Sequence, residues 1–496
     1  MNISFGSNYR WWAFAALSIG MFASVAHHGS TIVALPSISD SFKTDLPTTQ
    51  WVLIGYSLTI AALLLPMGRM ADIVGRKPVY IIGFSIFTVG GIWAGFASNI
   101  EILIVAKVFQ GVGAAMTQGT SMAMMVSTFP PEERGKALGL QMSMVGLGGV
   151  AGPALGGLLI GLLNWQWVFF GSGILGGASV VAGLIVLDAK RVGQPSGDRE
   201  AFDWLGAALS TTAMISFLMG MTGGPMIGWT NPLIVVALVG FFGLVAIFVW
   251  WELRAPSPMM DVRLFQRRLF TLGVSASYLS FLGMSSVRFL MPFYLQAVLG
   301  YSPGQVGLMI VPGAVMMIIM GPLSGRLSDR FGVRPFTVGG MVVSVSGLLL
   351  LSTLTPNSSY LLGVAGMVMQ SFGTGTFNAP NNSAVLSAVE QSKYGVISGF
   401  LNLVRNSGNL TSVAVATAIV TATMASLGYA PSLAKVSADG DAGLIAAFTS
   451  GLRMAYRIMA VFVVVAIVAS MFKGTPVEQE PVAESPELPT PERATA

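Results

Sequence analysis

"GRMADIVGRKP", Gly68 to Pro78, is the stretch that decides the fold of this chain. It is a short charged segment between two long apolar runs, and it has an echo. "GRLSDRFGVRP", Gly325 to Pro335, repeats Gly, Arg, Asp, Gly and Pro at the same spacing. A string that returns in the second half of a chain, again between apolar runs, marks an internal repeat of membrane helices, the pattern of alternating-access transporters. The chemistry of the string is specific. Asp72 can accept hydrogen bonds at the start of the next half and pair with arginine across the loop. Gly68 and Gly75 permit tight helix ends. A loop that only sets topology accounts for Arg69, Arg76 and Lys77, but not for Asp72 or the glycine spacing.

Composition agrees with a membrane reading. The chain of 496 residues is 53% hydrophobic and 9% charged, against about 25% charged in soluble domains. Its mean hydropathy is +0.73. Apolar runs of about 20 residues, long enough for a ~30 Å hydrocarbon core, fall at 11–34, 50–69, 78–98, 101–123, 137–162, 166–187, 203–223, 231–251, 269–293, 304–325, 335–354, 359–380, 394–424 and 451–472. That predicts fourteen crossings. With both termini cytoplasmic, the inner loops hold most lysines and arginines, among them Arg69, Arg134, Arg263, Arg326 and Lys393, while Lys43 and Lys435 lie outside. Such an imbalance orients membrane proteins. The net charge of +5 is therefore a matter of topology, and nucleic acid is not an expected partner. Segment 425–450 reads as an outer loop, partly an amphipathic helix. The tail from Thr475, rich in Pro and Glu, is expected to be disordered. The chain has no cysteine, which excludes disulfides, thiolate metal sites and a cysteine nucleophile. No metal-ligand set, nucleophile-base arrangement or ATP-binding loop is legible, so neither an enzyme nor a primary pump is expected.

At these residues the chain resembles the major facilitator superfamily, and within it the fourteen-helix drug:proton antiporter branch. The resemblance covers about residues 10–472. Besides the two Gly-Arg loops it rests on "GLQMSMVGLGGVAGPALGG", Gly139 to Gly157, where Gly148, Gly152, Pro153 and Gly156 match the family's antiporter signature. Small residues at four-residue steps admit a close neighbour, and Pro bends the helix. It rests also on "KVFQGVGAA", Lys107 to Ala115, where the family usually has arginine before the same Gln-Gly, and on "FPPEERGKALG", "DWLG", "LMPFYLQAVLGYSP" and "RNSGNLTSVAVA". The resemblance implies an all-α membrane protein of the major facilitator fold, with two six-helix bundles, two additional helices and both termini cytoplasmic. The implied division is 1–190 for the first bundle, 191–262 for the linker with the extra pair, 263–473 for the second bundle and 474–496 for the tail. It implies a gating latch built from Gly68, Arg69, Asp72, Gly75, Arg76, Arg326 and Asp329. It further implies a monomeric exporter of small drug-like amphiphiles in the cytoplasmic membrane, driven by the proton motive force without a cofactor.

The departures from the pattern are as informative. The branch usually carries an acid in its first helix, seven positions before Ala-Leu-Pro; here Ala34-Leu35-Pro36 is preceded by His27, or by Gly29 with a two-residue gap. The usual Trp-Arg-Trp is Trp165-Gln166-Trp167. Every Asp and Glu falls in a loop, at a helix end or in the tail. The ionisable groups left inside the spans are His27, His28, Lys107, Arg288 and Arg405. Imidazole, with an ordinary pKa near 6.5, titrates in the working range, so His27 or His28 is a proton-carrier candidate; a neutral packing histidine is the alternative. His27, Ser30 and Thr31 share a helix face. Lys107, Gln110, Thr31, Arg288 and Arg405 are candidate cavity residues, with His27, Lys107 and Arg288 sharing its outer half. An electropositive cavity favours neutral or anionic amphiphiles, including lipid-like ones, moved with or without protons. The alternative is that each cation snorkels to an interface or bonds a carbonyl.

Overall fold

The computed structural model describes residues 8–44, 46–193, 201–429, 436 and 441–472, and these are helical or connecting, with no strand among them. The helices are α1 (Tyr9–Phe42), α2 (Leu46–Val74), α3 (Arg76–Gly95), α4 (Ile100–Thr128), α5 (Arg134–Leu162), α6 (Gln166–Val186), the single turn α7 (Ala189–Val192), α8 (Trp204–Ile227), α9 (Pro232–Glu252), α10 (Arg268–Phe293), α11 (Pro303–Phe331), α12 (Val333–Leu351), α13 (Tyr360–Ser387), α14 (Tyr394–Ser426) and α15 (Ala442–Met471). Twelve of them are long and apolar enough to cross a membrane. The other two long helices, α1 and α13, are not among these twelve. The first carries both histidines, the second Gln370, Asn378, Asn381 and Asn382.

Local chemistry sets the helix ends. Asn99 accepts from Ile102 N at 2.8 Å to start α4. Ser302 and Gln305 form a reciprocal capping box at the start of α11, satisfying two otherwise unpaired amides. The ends depart from expectation where a charged segment was read as loop. The Gly68–Pro78 string is two helices joined at one residue, because α2 runs on to Val74 and α3 begins at Arg76. Gly75 makes the joint at φ +106°, and its repeat partner Gly332 does so at φ +87°, where a Cβ is disfavoured. Hydropathy marks where the apolar stretch ends, whereas backbone hydrogen bonding carries the helix beyond it. For the same reason α15 starts at Ala442 rather than 451, so within the segment 425–450, expected to be an outer loop with a partly amphipathic helix, residues 442–450 are the first turns of the last helix. The tail from 474 lies outside the described residues.

Helices α1–α6 pack among themselves, as do α10–α15. The two groups meet chiefly through α5 on α11 and α2 on α14, with α4 and α13 adding contacts. The added pair is tied together by Asp203 before α8, which accepts from Gly206 N at 2.8 Å and from Trp251 Nε1 of α9 at 2.9 Å. Helix α8 leans on both groups: Thr211 Oγ1 donates to Ala62 O at 3.2 Å, and Ser407 Oγ lies 3.7 Å from Met214 Sδ.

Candidate functional site

The two Gly-Arg strings close one end of the molecule. Asp72 is buried in the last turn of α2 and accepts from Gly395 N at 2.9 Å and Val396 N at 2.8 Å, the first amides of α14. Those amides are the free donors of a helix start, where a carboxylate is held by hydrogen bonds and the helix dipole together. Arg76 bonds the same carboxylate at 3.0 Å and also donates to Ser127 Oγ at 2.8 Å and Gln391 O at 2.7 Å. Asp329, at the end of α11, accepts from Gly135 N and Lys136 N at 2.9 Å each, at the start of α5. The two latches are thus related by the repeat but unequal. Asp329 is exposed, and Val333 stands where the first copy has Arg76. Arg326 is exposed, whereas Arg69 is buried beside Glu252.

Contact between the groups continues from this end along α5 and α11. A Cβ on Gly139 would strike the backbone of Gly321 and Pro322, and Ser143 Oγ donates to Ile318 O at 2.6 Å. Past Gly146, which faces Ile318, α5 turns its small residues to α1 instead. A Cβ on Gly152 would lie 2.5 Å from Ala26 O, and one on Gly156 would lie 2.7 Å from Ser30 Cα. Pro153 fills the space beside Gly29, and Ser30 Oγ donates to Gly152 O at 2.6 Å. The glycine-proline stretch is therefore the bed of the histidine-bearing segment of α1, a relation that the sequence did not reveal.

On the other side of that segment His27 points inward. Lys107 is fully buried; its Nζ lies 2.5 Å from His27 Nε2, 2.8 Å from Gln110 Oε1 and 4.0 Å from the centroid of Tyr56. Phe169 and Phe87 set their edges against the imidazole. Gln110 in turn donates to Phe87 O at 3.3 Å and to Ser172 Oγ at 3.2 Å. A cation between an imidazole lone pair, an amide oxygen and an aromatic face has ligands but no counter-charge. His27 Nδ1 makes no hydrogen bond of ordinary geometry; the Val168 backbone is the polar group beside it. Thr31, also buried, bonds back to His27 O at 2.8 Å. His28 is exposed and stacks on Tyr56 at 6.3 Å.

This placement regroups the expected cavity residues. Lys107, Gln110 and Thr31 have no open surface and sit inside the first group of helices, because the cation finds its partners there instead of snorkelling. Arg288 does not join them. It is exposed on α10, an electrostatic neighbour of the half-buried Arg405 on α14. The second repeat keeps the outline of the lysine site without its charge. "KVFQ" at 107–110 corresponds to "MVMQ" at 367–370, and the buried Gln370 has no hydrogen-bond partner for either side-chain atom among the described residues. Tyr56 and Phe169 went unread in the sequence, since aromatic residues in an apolar helix carry no signal of their own.

Residues 16–209 and 201–413 both match the family described as Major Facilitator Superfamily. The chain belongs to the major facilitator superfamily. Among its relatives is the multidrug resistance protein Stp of Mycobacterium tuberculosis, 32% identical over 82% of this chain and 75% of that protein. Another is the riboflavin transporter RibZ of Clostridioides difficile, 30% identical over 80% of this chain and 85% of that protein. The solved proton:xylose symporter XylE shares the fold, with a TM-score of 0.66, 13% identity and coverage of 95% of this chain and 97% of that one. The chain is a multi-pass membrane transporter rather than an enzyme, and like other members of the superfamily it takes small-molecule substrates within a membrane.

Proposed function

We propose that the chain is a secondary active exporter of small drug-like amphiphiles in the cytoplasmic membrane, working by alternating access. The observation that supports this best is the paired latch: two carboxylates, each on the last turn of a helix in one repeat, hold the helix starts of the other repeat at the same end. A molecule closed at one end by breakable polar contacts can exchange that closure for one at the other end. In this reading α1 and α13 also cross, giving fourteen helices of the drug:proton antiporter branch. The bundles are residues 1–190 and 263–473, the added pair lies within 191–262, the latched end and both termini are cytoplasmic, and the working unit is a monomer.

The driving force is the proton motive force. No acid serves as proton carrier, and His27 with Lys107 takes that part. Two basic nitrogens 2.5 Å apart titrate as one unit, and the second proton that the unit accepts would place two charges side by side and push α1 from α4. Efflux from vesicles with an imposed pH gradient tests the whole reading, with native chain and His27→Gln in parallel. Native transport with a variant that no longer responds to the gradient is the expected result. A variant as gradient-driven as the native chain removes His27 from the mechanism, and a native chain that moves no compound across a panel of charged and neutral amphiphiles refutes export.

A further inference from the structure

Arg288 and Arg405 are a pair of like charges that neither the latches nor the lysine site uses. Neither has a hydrogen bond or ion pair with any described residue. Ser285 of α10 donates to Asn409 of α14, which fixes where these helices face each other. Arg288 stands three residues beyond Ser285, and Arg405 four residues before Asn409. The two therefore lie on either side of that bond, about 10 Å apart along the axes at ~1.5 Å per residue. Their long side chains bring them into each other's field.

Both point to the parting between the helix groups and not to lipid. Around α10, Met284 meets α13 at Thr374, Phe281 meets α14 at Gly408, and Gly283 meets α15. At 100° per residue Arg288 falls between the first two directions and away from the third. Along α14, Gly395, Gly399 and Asn402 face α2 and α4 of the other group. Asn406 continues that stripe, and Arg405 lies about 60° round the helix from Asn402, midway between it and Gly408, which faces α10. Two like charges in a membrane protein, unpaired and mutually repelling, are costly unless an anion completes them.

We propose that Arg288 and Arg405 bind the carboxylate, or a comparable compact oxyanion, of an amphiphilic organic anion, which is the transported substrate class. The proposal rests on the transporter reading above and narrows it. Guanidinium groups bind planar oxyanions through paired hydrogen bonds, and the Ser285–Asn409 pair supplies neutral polar contacts between them. A lipid phosphate offers the same chemistry from another source.

The test is equilibrium binding to the full chain in phosphatidylcholine nanodiscs, with 1-naphthoate and its uncharged analogue 1-naphthamide as probes. The native chain is expected to bind the anion at least tenfold more tightly, with the preference shrinking as salt rises. In Arg288→Gln/Arg405→Gln the ratio should fall to within twofold. Arg288→Lys/Arg405→Lys, which keeps the charge but loses the fork, should keep a salt-sensitive preference of reduced size and serves if the glutamine variant does not fold. Equal binding of the two probes to the native chain, or a preference that survives in the glutamine variant, overturns the proposal. So does a preference abolished by added phosphatidylglycerol with naphthoate unable to compete, which would assign the pair to lipid. Binding needs no gradient, so a chain that prefers the anion through this pair yet moves nothing in vesicles fails the transport reading alone.

Discussion

Replacing Asp72 by asparagine should unlatch the closed end. The carboxylate accepts from Gly395 N at 2.9 Å, Val396 N at 2.8 Å and Arg76 at 3.0 Å, and is 2% exposed. Asparagine keeps one acceptor oxygen but turns an NH2 toward a backbone N–H. It also leaves the Arg76 guanidinium, whose side chain is 4% exposed, without its counter-charge. The Asp72–Arg76 pair lies within one helix group and is lost from the closed and open arrangements alike, whereas the bonds from the α14 amides exist only in the closed one. A hydrogen bond to a charged group contributes about 1.5–3 kcal/mol. At about 1.4 kcal/mol per tenfold, the closed population should drop relative to the open one by about tenfold to a hundredfold. The chain has no cysteine, so a single Ser143→Cys reports the change. Ser143 is 5% exposed and lies against Ile318 O on the α5–α11 seam, remote from the mutated latch. Labelling by a membrane-impermeant maleimide from the latched side should accelerate on adding Asp72→Asn. Unchanged labelling would mean that the latch does not hold the gate, and the alternating-access reading built on it would fall.

Asp329→Asn should accelerate the same labelling at least tenfold less than Asp72→Asn, because Asp329 is exposed and lacks an arginine partner at 333; equal effects would refute the inequality of the latches. Lys107→Met should leave the melting temperature near native, since Met367 fills the corresponding place beside Gln370, while gradient-driven efflux falls at least tenfold; native efflux would exclude the lysine from coupling. Gly152→Ala places a Cβ 2.5 Å from Ala26 O and should lower stability by about 1–3 kcal/mol through overpacking, seen as a fall in melting temperature. Gly149→Ala, which opens onto free space, should leave it unchanged.

Much of the fold was legible because it is written in two periodic signals, apolar runs and the repeated Gly-Arg string. Each signal reports a local requirement: a helix long enough for hydrocarbon, and a turn tight enough to need Gly75. The ends of helices were less legible. The hydropathy of "GRMADIV" says water, but its backbone stays helical to Val74, and that extension is what puts Asp72 on a rigid turn aimed at α14. The site was legible as a set of residues and not as groupings. Helical arithmetic put His27, Lys107 and Arg288 at similar depth, yet depth does not say which way a side chain turns around its axis. Lys107 turned inward because Tyr56, Gln110 and His27 offer it ligands. Gln110 is one turn along α4 and shows in the spacing, but the contacts with His27 and Tyr56 join α4 to α1 and α2, and no spacing within one helix can reveal them.

Helix α5 links these parts. Its first half, from Gly135 through Ser143, is the seam with α11, and a Cβ on Gly139 leaves no room for any other neighbour there. Its second half, from Gly148 through Gly156, is the bed of α1 at Ala26 and Ser30, one residue from His27 on one side and within one turn on the other. Pro153 lies in the second half and removes one backbone hydrogen bond, so the bed can bend without unmaking the seam. Opening the latched end must move the first half of α5 away from α11. That motion reaches α1 through backbone-to-backbone contacts at Gly152 and Gly156, which have no side chain to absorb it. A change at the His27–Lys107 pair that displaces α1 presses on the same contacts from the other side. The coupling is reciprocal by necessity, and it accounts for glycine at both Gly152 and Gly156 better than packing alone. Larger residues could fill the space if α1 were fixed, but they would put flexible side chains between the proton site and the gate.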